Sequence, residues 1–575
     1  MTAWQRGAAE MGAIAGLFHP ATPKPVDPAR IRAMATAMAH RGPDGAGEWT
    51  APGVGFAHRW LATIGGAAAA QPVATPDLRY AAMLDGTILN HAALGADLRA
   101  LGHRFTGGGD AEVVLHGFAA WGPALLDRLE GSFAIVVHDA ATQTLFLARD
   151  RLGAKPLHLA MLPDGALIFA SELRGLLAHP LLRRVPDATA VADYLTLGYV
   201  PDDTCMIAGV EKLPAAHFLL VERGRPLRAA RRWWSLPEGG ETPVEALLAE
   251  LRGAVARAAG EERPAALLLG GLGDAAVVAL AAEASGKAVA TVGVGDDGSV
   301  AARFATAHRR AGPGDPPALL TGLVATFDEP CGDPAALAAI VAARQSGPVV
   351  MSGAGAALLL DSGRWRRFAR HERWRRWRWK VPGLGEAGAD YALALGAADA
   401  GGVWSAEGRR ALAGHDVLRR FAAASRGGDP LDGALRVDLA TRLPGQVLAM
   451  VDRAGMAAGA EWRTPFADPR LVAFVLSLSV GVRQARTSPL VGAMARHLPA
   501  MPVAAPPPPV SQWLRGPLGA EVARLERSRP FAETGWFDMA RIAQLIERHR
   551  GGDDEHAALL WRLLVLERSL GRLFA

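Results

Sequence analysis

PAALLLGGLGDAAVVAL, residues 264–280, decides how the second half of this chain is read. Ala265 to Leu269 is a short apolar run bounded by Pro264 and by glycines, the pattern of a buried strand. Gly270, Gly271 and Gly273 permit a tight turn and a close approach of backbone to a ligand. Ala275 to Ala282 is alanine-rich and predicts a helix. A glycine turn at a helix N-terminus aims free N–H groups at an anion, as a phosphate loop does. The side chains point elsewhere. No Ser, Thr or Lys lies between Leu269 and Val278 to hold phosphate oxygens or a metal. Asp274, at or near the helix start, suits a capping role but would repel a phosphate there. On these residues alone a phosphate cradle and a plain strand–turn–helix unit with a capping Asp both stay open.

Working outward, VEALLAELRGAVARAAG (244–260) precedes this unit as a helix. AVATVGVG (288–295), ALLTGLVATF (318–327) and GPVVMSG (347–353) follow it, each strand-like or helical. Alternation of that kind predicts a doubly wound parallel α/β sheet. Its ligand site would lie at the carboxyl ends of the strands, where GGLGD and MSGAG fall. After residue 400 the pattern is mostly helical, broken by the extended run VAAPPPPV (503–510). The first part of the chain reads differently. GAIAGLF, YAAMLDGTIL, GSFAIVVHD, QTLFLARD and ALIFASEL are strand-like, and ALGADLRAL and AEVVLHGFAAW are helical, which predicts an α+β domain with helix-covered sheets. The expected division is a first domain over 11–225, a linker over 226–243 and a second domain over 244–575.

The 575 residues are 50% hydrophobic, enough for two sizeable cores. No apolar run is long enough for a transmembrane helix, and the N-terminus has no secretory pattern. Cys205 and Cys331 are too few for a disulfide framework or a cysteine metal site. A reduced, cytoplasmic protein is the expectation. The net charge of +5 is small for this length and gives no reason to expect nucleic acid.

Seven stretches jointly carry a resemblance: MGAIAGLF (11–18), HRGPDGAG (40–47), HRWLATI (58–64), GDAEVVLHGFAAWG (109–122), LARDRLGAKPLHLA (147–160), FASELRGLLAHP (169–180) and VDRAGMAAGAEWRTPFADPRLVAF (451–474). They resemble the glutamine-dependent asparagine synthetases and their amidotransferase relatives. YLTLGYVPDD (194–203) and VEKLPAAH (210–217) are most similar to the branch associated with exosortase and exopolysaccharide clusters. The resemblance implies an N-terminal-nucleophile αββα sandwich that hydrolyses glutamine. An ATP-pyrophosphatase α/β domain would follow, adenylylating a carboxylate with ATP and Mg and passing ammonia to it.

The resemblance also assigns residues, and several depart from the family pattern. Gly12 stands where the family has its nucleophilic Cys, and glycine offers neither thiol nor hydroxyl for covalent catalysis. Asp85-Gly86-Thr87 stands where the family has Asn-Gly-Glu, so a carboxylate replaces an oxyanion donor. Arg59 matches the arginine for the glutamine carboxylate, and Asp110 the acid for its amine. Fold salt bridges account for both equally well. The stretch around Gly270, Gly271 and Asp274 stands where the family has Ser-Gly-Gly-x-Asp-Ser. Ser352, Gly353 and Gly355 survive from Ser-Gly-x-Gly-x-Asp-Glu, with Ala357 and Leu358 at the acidic positions. Asp361 is an improvised ligand at best, and no metal site is expected. The two later segments where the family carries phosphate-neutralising basic residues read SPLVGAMARHL and VAAPPPPVSQW here, without lysine. Asp328, Glu329, Pro330 and Asp333 match an Asp-Glu-Pro segment. Asp452 and Arg453 match an Asp-Arg pair, and Glu461 matches a glutamate tied to intermediate formation or acceptor deprotonation. Helix capping and bundle packing are the plain alternatives for these.

RWRRFARHERWRRWRWK (364–380) carries eight Arg, one Lys and four Trp, a composition suited to an anionic surface or to a solvated helix. Three functions therefore stand as expectations. The first is a pseudoenzyme or regulatory partner of an intact paralogous amidotransferase, still binding glutamine or a carboxylate acceptor. The second is an ATP-dependent amide ligase using free ammonia or another amine. The third is an anionic-surface-binding protein acting through residues 364–380.

Overall fold

The computed structural model describes residues 10–62, 70–107, 109–240, 242–260, 264–295, 298–312, 314–360, 401–417, 430–483, 485, 487–498 and 508–574. Residues 364–380, Asp361 and most of VAAPPPPV lie outside the described residues. The chain forms two compact units. One comprises Met1–Arg184, Gly209–Ser235 and Gly455–Trp462; the other comprises Val185–Ala208, Leu236–Ala454 and Arg463–Ala575.

The first unit is built on twelve antiparallel strands. β1 (Glu10–Phe18) pairs with β3 (Val54–Ala62), which pairs with β2 (Gly45–Ala51). On its other side β1 pairs with β9 (Leu167–Ala170), followed by β8 (His158–Met161) and β10 (Val210–Lys212). A second layer runs β5 (Tyr80–Ile88), β6 (Gly131–Asp139), β7 (Thr144–Arg149), β11 (His217–Glu222), β12 (Arg231–Arg232), with β4 (Val73–Ala74) on β5. One residue pair, Glu10 with Gly86, joins the layers.

Strand alternation explains the stacking, because successive side chains leave a strand on opposite faces. Met83, Val136 and Leu147 meet Ile14, Phe56 and Phe169 between the layers. Their neighbours Leu84, Ile135, Val137, Phe146 and Ala148 face outward, onto Leu94, Val113, Val114 and Phe118 of the helices His91–Ala100 and Asp110–Trp121. The helix Pro28–Thr36 packs against β1 and β3 on the far side. The result is the expected αββα sandwich. Each fully buried side chain of this kind contributes roughly 1.5–3 kcal/mol of transfer free energy.

Residues 226–243 were expected as linker from their charge and lack of period. In the structure β12 pairs with β11, and the Trp233 indole N–H donates to the Arg149 carbonyl at 3.1 Å. Trp233 also packs against the helix-side core, so a single large ring anchors a stretch whose average composition hides it.

The second unit holds a sheet ordered β15-β14-β13-β16, from β13 (Ala265–Leu268), β14 (Val289–Val294), β15 (Ala305–Ala311) and β16 (Val349–Met351). The ladders among β13, β14, β15 and β16 are parallel, as the alternating pattern predicts. β15 carried no strand signal, since ATAHRRA is polar and lies at the sheet edge. The helices Leu247–Ala259, Leu272–Ser285, Pro316–Thr326 and Ala335–Ala343 belong to this unit, and ALLTGLVATF falls in the third. Among the described residues the remainder of this unit is mostly helical, ending in Met539–Arg550 and Ala557–Leu573. No helix among the described residues is long and apolar enough to cross a membrane.

Candidate functional site

Gly12 sits inside β1, opposite Trp60, with Glu10 and Met11 already paired to Ala62 and Leu61. A Cβ placed on Gly12 would lie 1.9 Å from the Arg59 carbonyl oxygen and 3.2 Å from the His58 ring. The backbone of β3 therefore leaves no room for any side chain at this position. His58 is buried and its pKa is pushed down to about 3 by desolvation, so the ring is neutral, with Nε2 3.2 Å from the Leu84 carbonyl.

Charged groups close the rest of this region. Arg41 is wholly buried. Its Nε donates to the Gly12 carbonyl at 2.8 Å, Nη1 to Glu172 at 3.1 Å and Nη2 to Asp85 Oδ2 at 2.9 Å. The Ser171 hydroxyl donates to the same Asp85 oxygen at 2.8 Å and accepts from the Ile14 N–H at 3.0 Å. Arg174 and His40 approach the other face of Glu172, at 2.8 and 3.2 Å. Asp85, assigned to the oxyanion position, is thus an ion-pair partner, and an ionised carboxylate can only accept hydrogen bonds. Sequence reading missed Arg41 and Ser171 as its partners. The available signal was that both lie inside quoted motif stretches, HRGPDGAG and FASELRG.

Two assigned glutamine-binding residues lie in the same unit. Arg59 donates through Nε to the Gly42 carbonyl at 3.0 Å, and among the described residues no carboxylate pairs with it. Asp110 opens its helix, accepts the Ile88 N–H at 2.7 Å and stands 3.4 Å from the His91 ring. Glu461 also falls in this unit, where its buried carboxylate accepts from the Thr87 hydroxyl at 3.0 Å. Met11, Leu61 and Met456 form a small apolar cluster in this unit, and the Met11 sulfur lies 3.9 Å from the Thr87 hydroxyl.

The quoted glycine loop is in the other unit. Gly270 turns the chain with φ +86, which favours glycine, and Gly271 is the cap of the helix Leu272–Ser285. Asp274 is the third helical residue rather than the cap. Its carboxylate turns back into the loop, where Oδ2 accepts from the Leu269 N–H at 3.0 Å and Oδ1 from the Gly353 N–H at 2.7 Å. The Gly271 N–H is a third donor to it. Burial pushes this carboxyl up to about 6, partly offset by these three backbone donors. Gly273 and Gly353 are pressed together. A Cβ on Gly353 would lie 2.1 Å from the Asp274 nitrogen, and one on Gly273 2.4 Å from the Ala356 Cβ. Ser352 donates its N–H to the Arg463 carbonyl at 2.9 Å and accepts the Ala354 N–H on its hydroxyl at 3.1 Å. Gly355 turns with φ +90.

The fold thus brings Gly270, Gly271, Asp274, Ser352, Gly353 and Gly355 together at the carboxyl ends of β13 and β16. In the loop the Leu269 and Gly353 amides meet the Asp274 carboxylate, which comes from inside the helix rather than from its cap.

The comparisons follow from this geometry. A family model described as a glutamine amidotransferase domain matches residues 11–234, and one described as asparagine synthase matches residues 246–571. The chain belongs to the asparagine synthase family. A relative in Mycobacterium tuberculosis (strain ATCC 25618 / H37Rv), provisionally named asparagine synthetase [glutamine-hydrolyzing], is 29% identical and covers 95% of this chain and 94% of its own length. Asparagine synthetase [glutamine-hydrolyzing] 3 of Bacillus subtilis (strain 168) is 32% identical over 44% of this chain and 43% of its own. Asparagine synthetase [glutamine-hydrolyzing] 3 of Arabidopsis thaliana is 35% identical over 26% and 25%.

The chemistry implied by an asparagine synthase needs Mg-bound pyrophosphate at this cradle, and the residues present do not fit it. Among the described residues, the cradle's one carboxylate, Asp274, spends both oxygens on backbone amides, Leu358 is buried and apolar, and Ala357 has no ligand atom. The acceptor-side residues of this asparagine synthase homologue have structural partners. Glu329 accepts the Met206 N–H at 2.8 Å, and Asp333 accepts from Gln446 at 2.6 Å and from the Ala335 N–H at 2.9 Å. Arg453 lies 3.7 Å from Asp328 and 3.4 Å from Asp452. Cys205 and Cys331 are buried, and burial pushes the Cys331 thiol up to about 12, which keeps it from acting as a thiolate.

Proposed function

We propose that this member of the asparagine synthase family has kept the fold and lost both half-reactions, glutamine hydrolysis and ATP-dependent amide formation. It acts as a non-catalytic, cytoplasmic partner of an intact paralogous amidotransferase. YLTLGYVPDD and VEKLPAAH favour an exopolysaccharide-linked pathway for the pair. One observation carries the reading: the Asp274 carboxylate sits on the Leu269, Gly271 and Gly353 amides that a phosphate would take. Two like charges cannot share that cradle. The closed backbone around Gly12 supports the glutaminase half independently, because acyl transfer needs a nucleophile there.

Calorimetry of Mg-ATP into the purified protein near pH 8 tests it. The expected result is no heat of specific binding, with no glutamate released from glutamine. Micromolar binding, followed by pyrophosphate release with ammonia and a carboxylate, would instead establish a working amide ligase. Copurification with the paralogue, expressed together, tests the partner role.

A further inference from the structure

Resting on that reading, we propose that Asp274 is a built-in anion that latches a phosphate cradle shut. The second unit would then carry a closed site rather than a dismantled one, and loss of this single carboxylate opens it to a phosphoanhydride group.

The argument turns on how far the side chain reaches. A carboxylate in the first turn of a helix normally satisfies amides of that turn. Asp274 does more. It takes the Leu269 N–H, which precedes the helix, and the Gly353 N–H, 79 residues away on the loop after β16. Its shortest bond, 2.7 Å, is the one to the distant loop. Three amides from two separate segments therefore converge on one anion at the start of a 14-residue helix, whose dipole adds to their field.

The hydrogen bonds to the carboxylate come from the backbone alone, and burial outweighs them in setting its pKa. Gly270 and Gly271 present no side chains to it. The groups that act on it are burial and these three N–H donors, and no ionised side chain among the described residues is one of them. A phosphate oxygen accepts from the same donors with the same geometry as a carboxylate oxygen. What excludes it is the negative charge already seated, which protonation of the carboxyl also removes.

The test compares the full-length natural protein with Asp274→Ala and Asp274→Ser, using pyrophosphate as the probe at pH 8. The expected result is binding at least tenfold tighter in both variants than in the natural protein. A folded variant with unchanged melting and no gain overturns the proposal. Should neither variant fold, a second measurement decides. Sulfate keeps its charge between pH 8 and 5, so its binding to the natural protein, read as a thermal shift, is followed over that range. A rise of severalfold as pH falls through about 6 supports the latch, and a flat profile overturns it. Mg-ATP and pyrophosphate titrations of Asp274→Ala side by side show whether the opened cradle takes a nucleotide or the phosphoanhydride alone. Failure of the variants to gain binding defeats this inference and leaves the pseudoenzyme reading standing. Tight Mg-ATP binding by the natural protein at pH 8 defeats that reading itself.

Discussion

At Gly12 the obstruction is main chain, while at Gly270–Gly271 it is a side chain. The Arg59 carbonyl of β3 occupies the space a nucleophile would need, and a buried lattice of Arg41, Asp85, Glu172 and Ser171 holds the facing strand β1 through the Gly12 carbonyl and the Ile14 N–H. The cradle keeps its backbone donors and is closed by one carboxylate. The difference is one of reversibility. Strand backbone yields only when the sheet yields, whereas a carboxylate can be mutated, protonated or displaced. On the proposed reading the two sites are closed to different depths, although both look alike as missing catalytic residues.

The first way to break the comparison is Arg41→Ala. Asp85 would be left buried without its cationic partner and Glu172 with one of its two arginines removed, a loss of about 3–5 kcal/mol. Denaturant unfolding measures it, and a loss below about 1 kcal/mol would show that the lattice does not hold this sheet. Gly12→Cys comes next. Its Cβ meets the Arg59 carbonyl, so we expect a cost at or above the upper end of the roughly 1–3 kcal/mol typical of overpacking, with no glutamate release. Recovered glutaminase activity would mean that β3 moves aside and the closure is not backbone-bound.

The third concerns the cradle alone. The native Asp274 carboxyl is raised from 3.8 to about 6, so the native state holds its proton more tightly than the unfolded chain. The contribution of this group to stability should accordingly be greatest below about pH 4 and fall as pH rises to 6, by at most about 3 kcal/mol at 1.36 kcal/mol per pKa unit. The natural protein should lose stability relative to Asp274→Asn across that window. Parallel curves would place the ionised carboxylate at no cost and weaken the latch. The smallest effect is at Cys331, where an alkylating reagent at pH 8 should leave the folded protein unlabelled and react on unfolding.

Much of the fold was legible because it follows from neighbours along the chain. YAAMLDGTIL and GSFAIVVHD are short apolar runs of the kind a strand buried on both faces shows, and they pair as β5 and β6. The role of Asp274 was not legible as a cap: it stands at the third helical position and accepts from the Gly353 N–H 79 residues away, a bond no local pattern shows. The polar edge strand β15 and the Trp233 anchor were not legible either, because each depends on what lies beside it in space. At the candidate sites, the absence of a nucleophile at Gly12 and of acids at Ala357 and Leu358 follows from residue identity alone.

Residue identity determined which groups this protein lacks. Only the tertiary structure decided what stands in their place: the Arg59 carbonyl against Gly12, the Arg41 guanidinium on Asp85, and the Gly353 amide on Asp274. The physical reason is range. Periodicity, turn preference and capping are fixed within a few residues, whereas desolvation, close approach and ion pairing are set by segments that meet only when the chain has folded.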